Sequence, residues 1–98
     1  MLAFYVTKEL NLLAIDIVGK GSISEVPVNF AEVLCRGVQL GAGGFLLVHN
    51  HPSGDPTPSQ ADIRFTNRMR RLSHELDLPL LDHFVVSGAR IERVGVWM

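Results

Sequence analysis

Two closely spaced histidines, a proline-rich stretch and an aspartate are the residues of this 98-residue chain best suited to chemistry. His49 and His51 follow the apolar run Phe45–Val48. On an extended chain, residues i and i+2 point to the same side, so the pair presents two imidazoles to one point. Asp62 falls in the first turn of the helix expected after Pro58. If that helix start faces the strand end, its carboxylate becomes a third ligand. Two histidines and one carboxylate suit Zn²⁺, and three protein ligands leave a fourth position for water, whose pKa zinc lowers toward about 7. Ser59, at the same helix start, is placed to bond that water or a developing oxyanion. Each half also has an ordinary reading. Ser59-x-x-Asp62 resembles a capping box, and an acidic residue at a helix N-terminus is favoured by the macrodipole. A His-x-His pair alone is a weak metal signal. The combination across a Pro-Ser-Gly loop is more specific.

The surrounding pattern supplies elements to hold these residues. Leu2–Val6 and Leu12–Val18 read as strands joined by a hairpin connection over Thr7 to Asn11. Ser22–Val28, after Gly19 and Gly21, reads as an extended edge segment. Asn29 caps a helix from Phe30 to about Leu40, with Phe30, Val33, Leu34, Val38 and Leu40 at helical spacing. Phe45–Val48 is uninterrupted and apolar, as expected of a strand buried on both faces. A second helix runs from Ser59 to about Leu76, its apolar stripe formed by Phe65, Met69, Leu72 and Leu76. Leu78–Val86 and Ile91–Trp97 close the chain as strands. The mixture predicts one α/β domain over residues 1–98: a mixed sheet with helices on its faces.

The string His49-Asn50-His51-Pro52-Ser53-Gly54-Asp55-Pro56 through Ser59-Gln60-Ala61-Asp62 resembles the JAMM (MPN+, JAB) metalloprotease signature, and specifically its RadC branch. Gly21-Ser22-Ile23 and Leu80-Leu81-Asp82-His83-Phe84-Val85-Val86 extend the match. The resemblance implies a curved mixed sheet flanked by helices, with the layering of cytidine deaminases. It implies zinc on His49, His51 and Asp62, with Ser59 positioning the water or oxyanion. It implies a metal-activated water attacking an amide or isopeptide bond of a protein or peptide, and an association with DNA repair. The family's general acid/base glutamate would fall, by spacing, before Met1. Asp16 and Glu25 are the carboxylates available to take that role, each with a plain surface or edge position as the alternative.

Other chemically capable residues have plainer readings. Cys35 is expected as a small buried hydrophobe on the first helix, His74 as a solvated helix residue, and His83 as a structural partner near the site. Arg64, Arg68 and Arg71 form a basic stripe, read as a solvated face whose stems cover apolar surface. A net charge of −1 removes the strong positive field of a dedicated nucleic-acid binder. A single cysteine rules out an intrachain disulfide and suits a reducing, cytoplasmic compartment. No apolar run approaches the roughly 20 residues that span a membrane, and Met1 to Lys8 lacks a signal-peptide pattern. The rivals to a hydrolase are a non-catalytic metal-binding or protein-interaction module and a DNA-binding accessory domain on the arginine stripe.

Overall fold

A computed structural model describes residues 1–19 and 28–94. Its elements are β1 (Leu2–Val6), β2 (Leu12–Ile17), α1 (Phe30–Gln39), β3 (Gly44–Asn50), α2 (Gln60–Glu75), β4 (Leu80–Ser87) and β5 (Arg90–Arg93). The strands form one mixed sheet in the order β2-β1-β3-β4-β5. Among the described strands only β3 and β4 pair in parallel; β1–β2, β1–β3 and β4–β5 are antiparallel. A parallel pair needs a crossover, and the loop after β3 together with α2 provides it. The expected edge segment Ser22–Val28, with Gly21-Ser22-Ile23 and Glu25, lies outside the described residues except for Val28, as does Trp97.

The β1–β2 connection is a tight hairpin. The Leu10 N–H donates to the Thr7 carbonyl at 2.9 Å, and the Asn11 N–H donates to Thr7 Oγ1 at 3.0 Å. Both helices start where their caps lie. Asn29 Oδ1 accepts from the Glu32 N–H at 3.2 Å, and Ser59 Oγ accepts from the Asp62 N–H at 3.0 Å.

The core lies between the helices and one face of the sheet. Ala3, Tyr5, Phe45 and Leu47 pack with Val33 and Leu34 of α1 and with Phe65 and Met69 of α2. Tyr5 OH donates to the Val33 carbonyl at 2.8 Å, and burial, with Asp16 adding to it, pushes the phenol up to about 12. Phe30 and Phe65 stack at 5.1 Å between centroids, joining the helices. Both described helices therefore share one face, because their apolar stripes meet the same core. β3 reads as uninterrupted and apolar for this reason in part only: Phe45 and Leu47 are buried under the helices, while Leu46 and Val48 are half-buried on the other side.

Several expected core positions fall outside it. Cys35 is exposed rather than buried. On α1 the buried residues are Val33, Leu34 and Gly37, and at 3.6 residues per turn Cys35 points away from that stripe. Val38 is likewise exposed, as are Leu72 and Leu76 on α2, where Thr66 and Ser73 are buried instead. Gly37 sits at a close approach: a Cβ there would lie 2.4 Å from Leu78 Cδ2, so the buried Leu78 side chain would have to shift. Arg68 places its guanidinium 4.8 Å from the centre of the Phe30 ring, so this arginine covers apolar surface as expected.

Candidate metal centre

The carboxyl end of β3 brings His49 and His51 to the start of α2. His49 lies in β3 and His51 one residue past its end, at i and i+2, and their rings meet edge to face with centroids 5.0 Å apart. Backbone pairing fixes His51 from β4: its N–H donates to the Val86 carbonyl at 2.9 Å, and the buried Ser87 hydroxyl donates to its carbonyl. The loop back to α2 is built from side-chain turns. Asp55 Oδ1 accepts from the Thr57 N–H at 3.0 Å and from its hydroxyl at 2.7 Å. Gly54 takes φ +91, a conformation open to glycine at little cost. At the end of this loop the capping box closes, with the Ser59 N–H donating to Asp62 Oδ2 at 2.7 Å. The box orients the Asp62 carboxylate towards β3.

The result is a tight triad. Asp62 Oδ1 lies 3.2 Å from His49 Nδ1, and Oδ2 lies 3.0 Å from His51 Nε2. One potential ligand atom from each of the three residues lies within 4.8 Å of the others. Asp62 and His49 are almost fully buried, whereas His51 faces the surface with 18% of its side chain exposed. Burial alone would raise the Asp62 carboxyl. The contacts with His49 and with the Ser59 N–H and hydroxyl outweigh it and hold the group well below the usual carboxylate range.

The hydrogen-bond pattern around His51 tests whether a cation fits. His51 Nδ1 lies 3.1 Å from the Asp55 carbonyl oxygen. A carbonyl only accepts, so this network assigns the proton to Nδ1. In the neutral ring, Nε2 is then a bare lone pair facing a carboxylate oxygen at 3.0 Å. Two acceptors at that distance repel unless a proton or a cation stands between them. His49 makes the same point differently. Both of its ring nitrogens are buried without a hydrogen-bond partner, and its 3.2 Å approach to Asp62 lies off the hydrogen-bonding line. Such atoms are costly to bury unpaired, and a metal ion would satisfy one of the two. The outer bond from His51 to a backbone carbonyl is the kind that orients metal-ligating histidines.

His49, His51 and Asp62 are therefore gathered as the spacing predicts, and Ser59 lies beside them. Its oxygen accepts from the Asp62 N–H in the cap, and its hydroxyl also helps hold the Asp62 carboxyl low. Asp16 is not among the gathered residues. It stands opposite Ala3 in the β1–β2 ladder and pairs with Arg36 Nε at 2.9 Å. His74 is exposed. His83 is completely buried and lies against the site, but its neighbour Asp82 pairs with Arg93 at 2.9 Å. Sequence reasoning missed Thr66 and Ser87, whose hydroxyls act inside the site's surroundings. The available signal for Thr66 was a hydroxyl one turn after Asp62 within a helix, where Thr has no propensity advantage.

The RadC-like JAB domain family matches residues 1–92. The chain is 47% identical over 79 residues to a UPF0758 protein of Rhodobacter capsulatus, spanning 81% of this chain and 37% of that relative. It is 45% identical over 89 residues to a UPF0758 protein of Ruegeria pomeroyi, spanning 91% and 39% of the two chains. A UPF0758 protein of Aquifex aeolicus is 34% identical over 90 residues, 92% of this chain and 39% of the relative. The chain thus spans less than two-fifths of the length of these relatives.

Proposed function

The chain belongs to the RadC-like JAB domain family, and from that premise we propose that it is a zinc-dependent hydrolase domain acting on an amide or isopeptide bond of a protein or peptide. The observation that carries this reading is the convergence of His51 Nε2 on Asp62 Oδ2 at 3.0 Å, with His51 Nδ1 turned to the Asp55 carbonyl, beside His49 nitrogens that lack a hydrogen-bond partner. His49, His51 and Asp62 would hold the ion, and their imidazole and carboxylate donors suit zinc. A bound zinc ion supplies Lewis-acid chemistry, polarising a carbonyl and activating water.

The chain's own groups do the rest. The Asp55 carbonyl holds the His51 proton on Nδ1 and so keeps Nε2 a donor to the ion. The Ser59 cap keeps the Asp62 carboxylate ionised and aimed at β3. In this reading the Ser59 hydroxyl would donate to negative charge developing on a carbonyl oxygen. A cytoplasmic setting and an association with DNA repair in the wider protein belong to the same proposal, supported by the single cysteine and by the RadC resemblance respectively.

The test is metal analysis of protein purified without chelator, alongside His51→Ala and Asp62→Ala. We expect about one zinc per chain in the wild type and loss of the metal in both variants. Equal zinc in all three would overturn the metal assignment. A second reading, a metal-binding module without catalysis, is favoured by Asp16: this candidate proton carrier is held by Arg36 and stands apart from the gathered ligands. Amide hydrolysis that needs zinc and disappears in Asp62→Ala would exclude it.

A further inference from the structure

His83 and Thr66 lie beneath the ligand triad, and neither is needed to hold an ion. Both are completely buried. His83 Nδ1 is 2.7 Å from Thr66 Oγ1, and that hydroxyl is 2.7 Å from the backbone carbonyl of Asp62. A carbonyl only accepts, so the Thr66 hydrogen goes to Asp62 and His83 Nδ1–H donates to Thr66. This order fixes the His83 tautomer and leaves Nε2 a buried lone pair without a partner. The His83 ring lies 17° from parallel to that of His49, with centroids 6.3 Å apart, and the edge of Phe65 closes on it at 6.1 Å. Burial, then the neighbouring His49, lower His83 to about 4, so the ring is uncharged near neutrality.

The ligands come from the end of β3, with His51 just past it, and from α2, and the relative placement of these two elements decides whether they reach one ion. The Thr66–His83 bond ties α2 to β4, one turn beyond Asp62, while the His83 ring supports His49 from the adjacent strand. We infer that Thr66 and His83 are positioning residues, a hydrogen-bonded strut that sets the distance between the Asp62 turn and the His49 ring. The inference rests on the metal reading above, since it concerns how well the triad fits an ion.

The test uses zinc alone, with affinity read by competition against a chromophoric chelator, and cobalt as a spectroscopic substitute. Thr66→Val keeps the side-chain shape and removes the hydroxyl; His83→Phe keeps a flat ring and removes Nδ1–H. We expect each to weaken zinc binding about 10- to 100-fold and to shift the cobalt d–d bands. Thr66→Ser should restore both. The double variant should be little weaker than either single one, because both break the same bond. Melting curves identify the variants that remain folded. Folded variants with wild-type zinc affinity and an unchanged cobalt spectrum, whatever their melting temperature, would overturn the strut alone. A wild type that takes up neither ion would overturn the metal reading and the strut with it.

Discussion

On one face of the sheet, Ala3, Tyr5, Phe45 and Leu47 lie out of solvent beneath both helices; on the other, Ile15 and Ile17 of β2 remain 50% and 69% exposed. The ladders place Ile17, Leu2 and Val48 in one row of this second face, and Ile15, Phe4 and Leu46 in the next. Both faces are apolar in sequence, so hydrophobicity alone does not distinguish them. Polar content does. The covered face carries His49, Asp62, Thr66 and His83, all buried. Among the described residues the other face holds a small apolar hollow of about 230 Å³ lined by Phe4, Val6, Leu12, Leu46, Val48 and Phe84. Burial under the helices is what makes the polar cluster consequential, because low dielectric strengthens both its attractions and the cost of an unpaired atom.

The contrast has measurable consequences. The largest is expected for Leu47→Ala, at the centre of the covered face. Deleting this fully buried side chain should cost about 2–5 kcal/mol, read as a lower urea midpoint. A loss below about 1 kcal/mol would mean that this face is not the core.

The next effect is pH dependence at His83. Its folded pKa of about 4 lies below the ordinary value of 6.5, so between these values the unfolded chain binds the extra proton. Stability is therefore fully present above 6.5, declines as pH falls from there and levels off near 4. The shift corresponds to about 3 kcal/mol over that window. His83→Phe should remove this part of the slope in chemical denaturation of metal-free protein. An unchanged slope would show that His83 is not the group responsible.

The smallest effect belongs to the exposed face. Ile17→Thr keeps β-branching and should change stability by no more than about 0.5 kcal/mol. A loss of more than about 2 kcal/mol would show that Ile17 is covered in solution and would erase the contrast between the faces.

The same contrast explains what was legible beforehand. β1 was readable to the residue at Leu2–Val6, because a short apolar run that stops at Thr7-Lys8-Glu9 has few alternatives. Both helix starts were readable because Asn29 and Ser59 are capping residues. His49, His51 and Asp62 were legible as a set because strand alternation and helix-start chemistry act locally. Less legible were the inner faces of the helices. Cys35, Val38, Leu72 and Leu76 look like core and are exposed, because a helical stripe gives a period but not the width of what covers it. The role of Thr66 was illegible for another reason: its partner is His83, on a different element, and only the crossover brings the two together.

The capping box at Ser59 and Asp62 bears on how relatives of this chain should be compared. Asp62 answers to two separate demands, starting a helix and facing two imidazoles. A lineage that abandoned the chemistry would still have a reason to keep an aspartate there. His51 has no comparable capping role: among the described residues its ring nitrogens meet the loop carbonyl and the carboxylate. The histidines are therefore the diagnostic letters of this site, and an aspartate found without them reports a helix start.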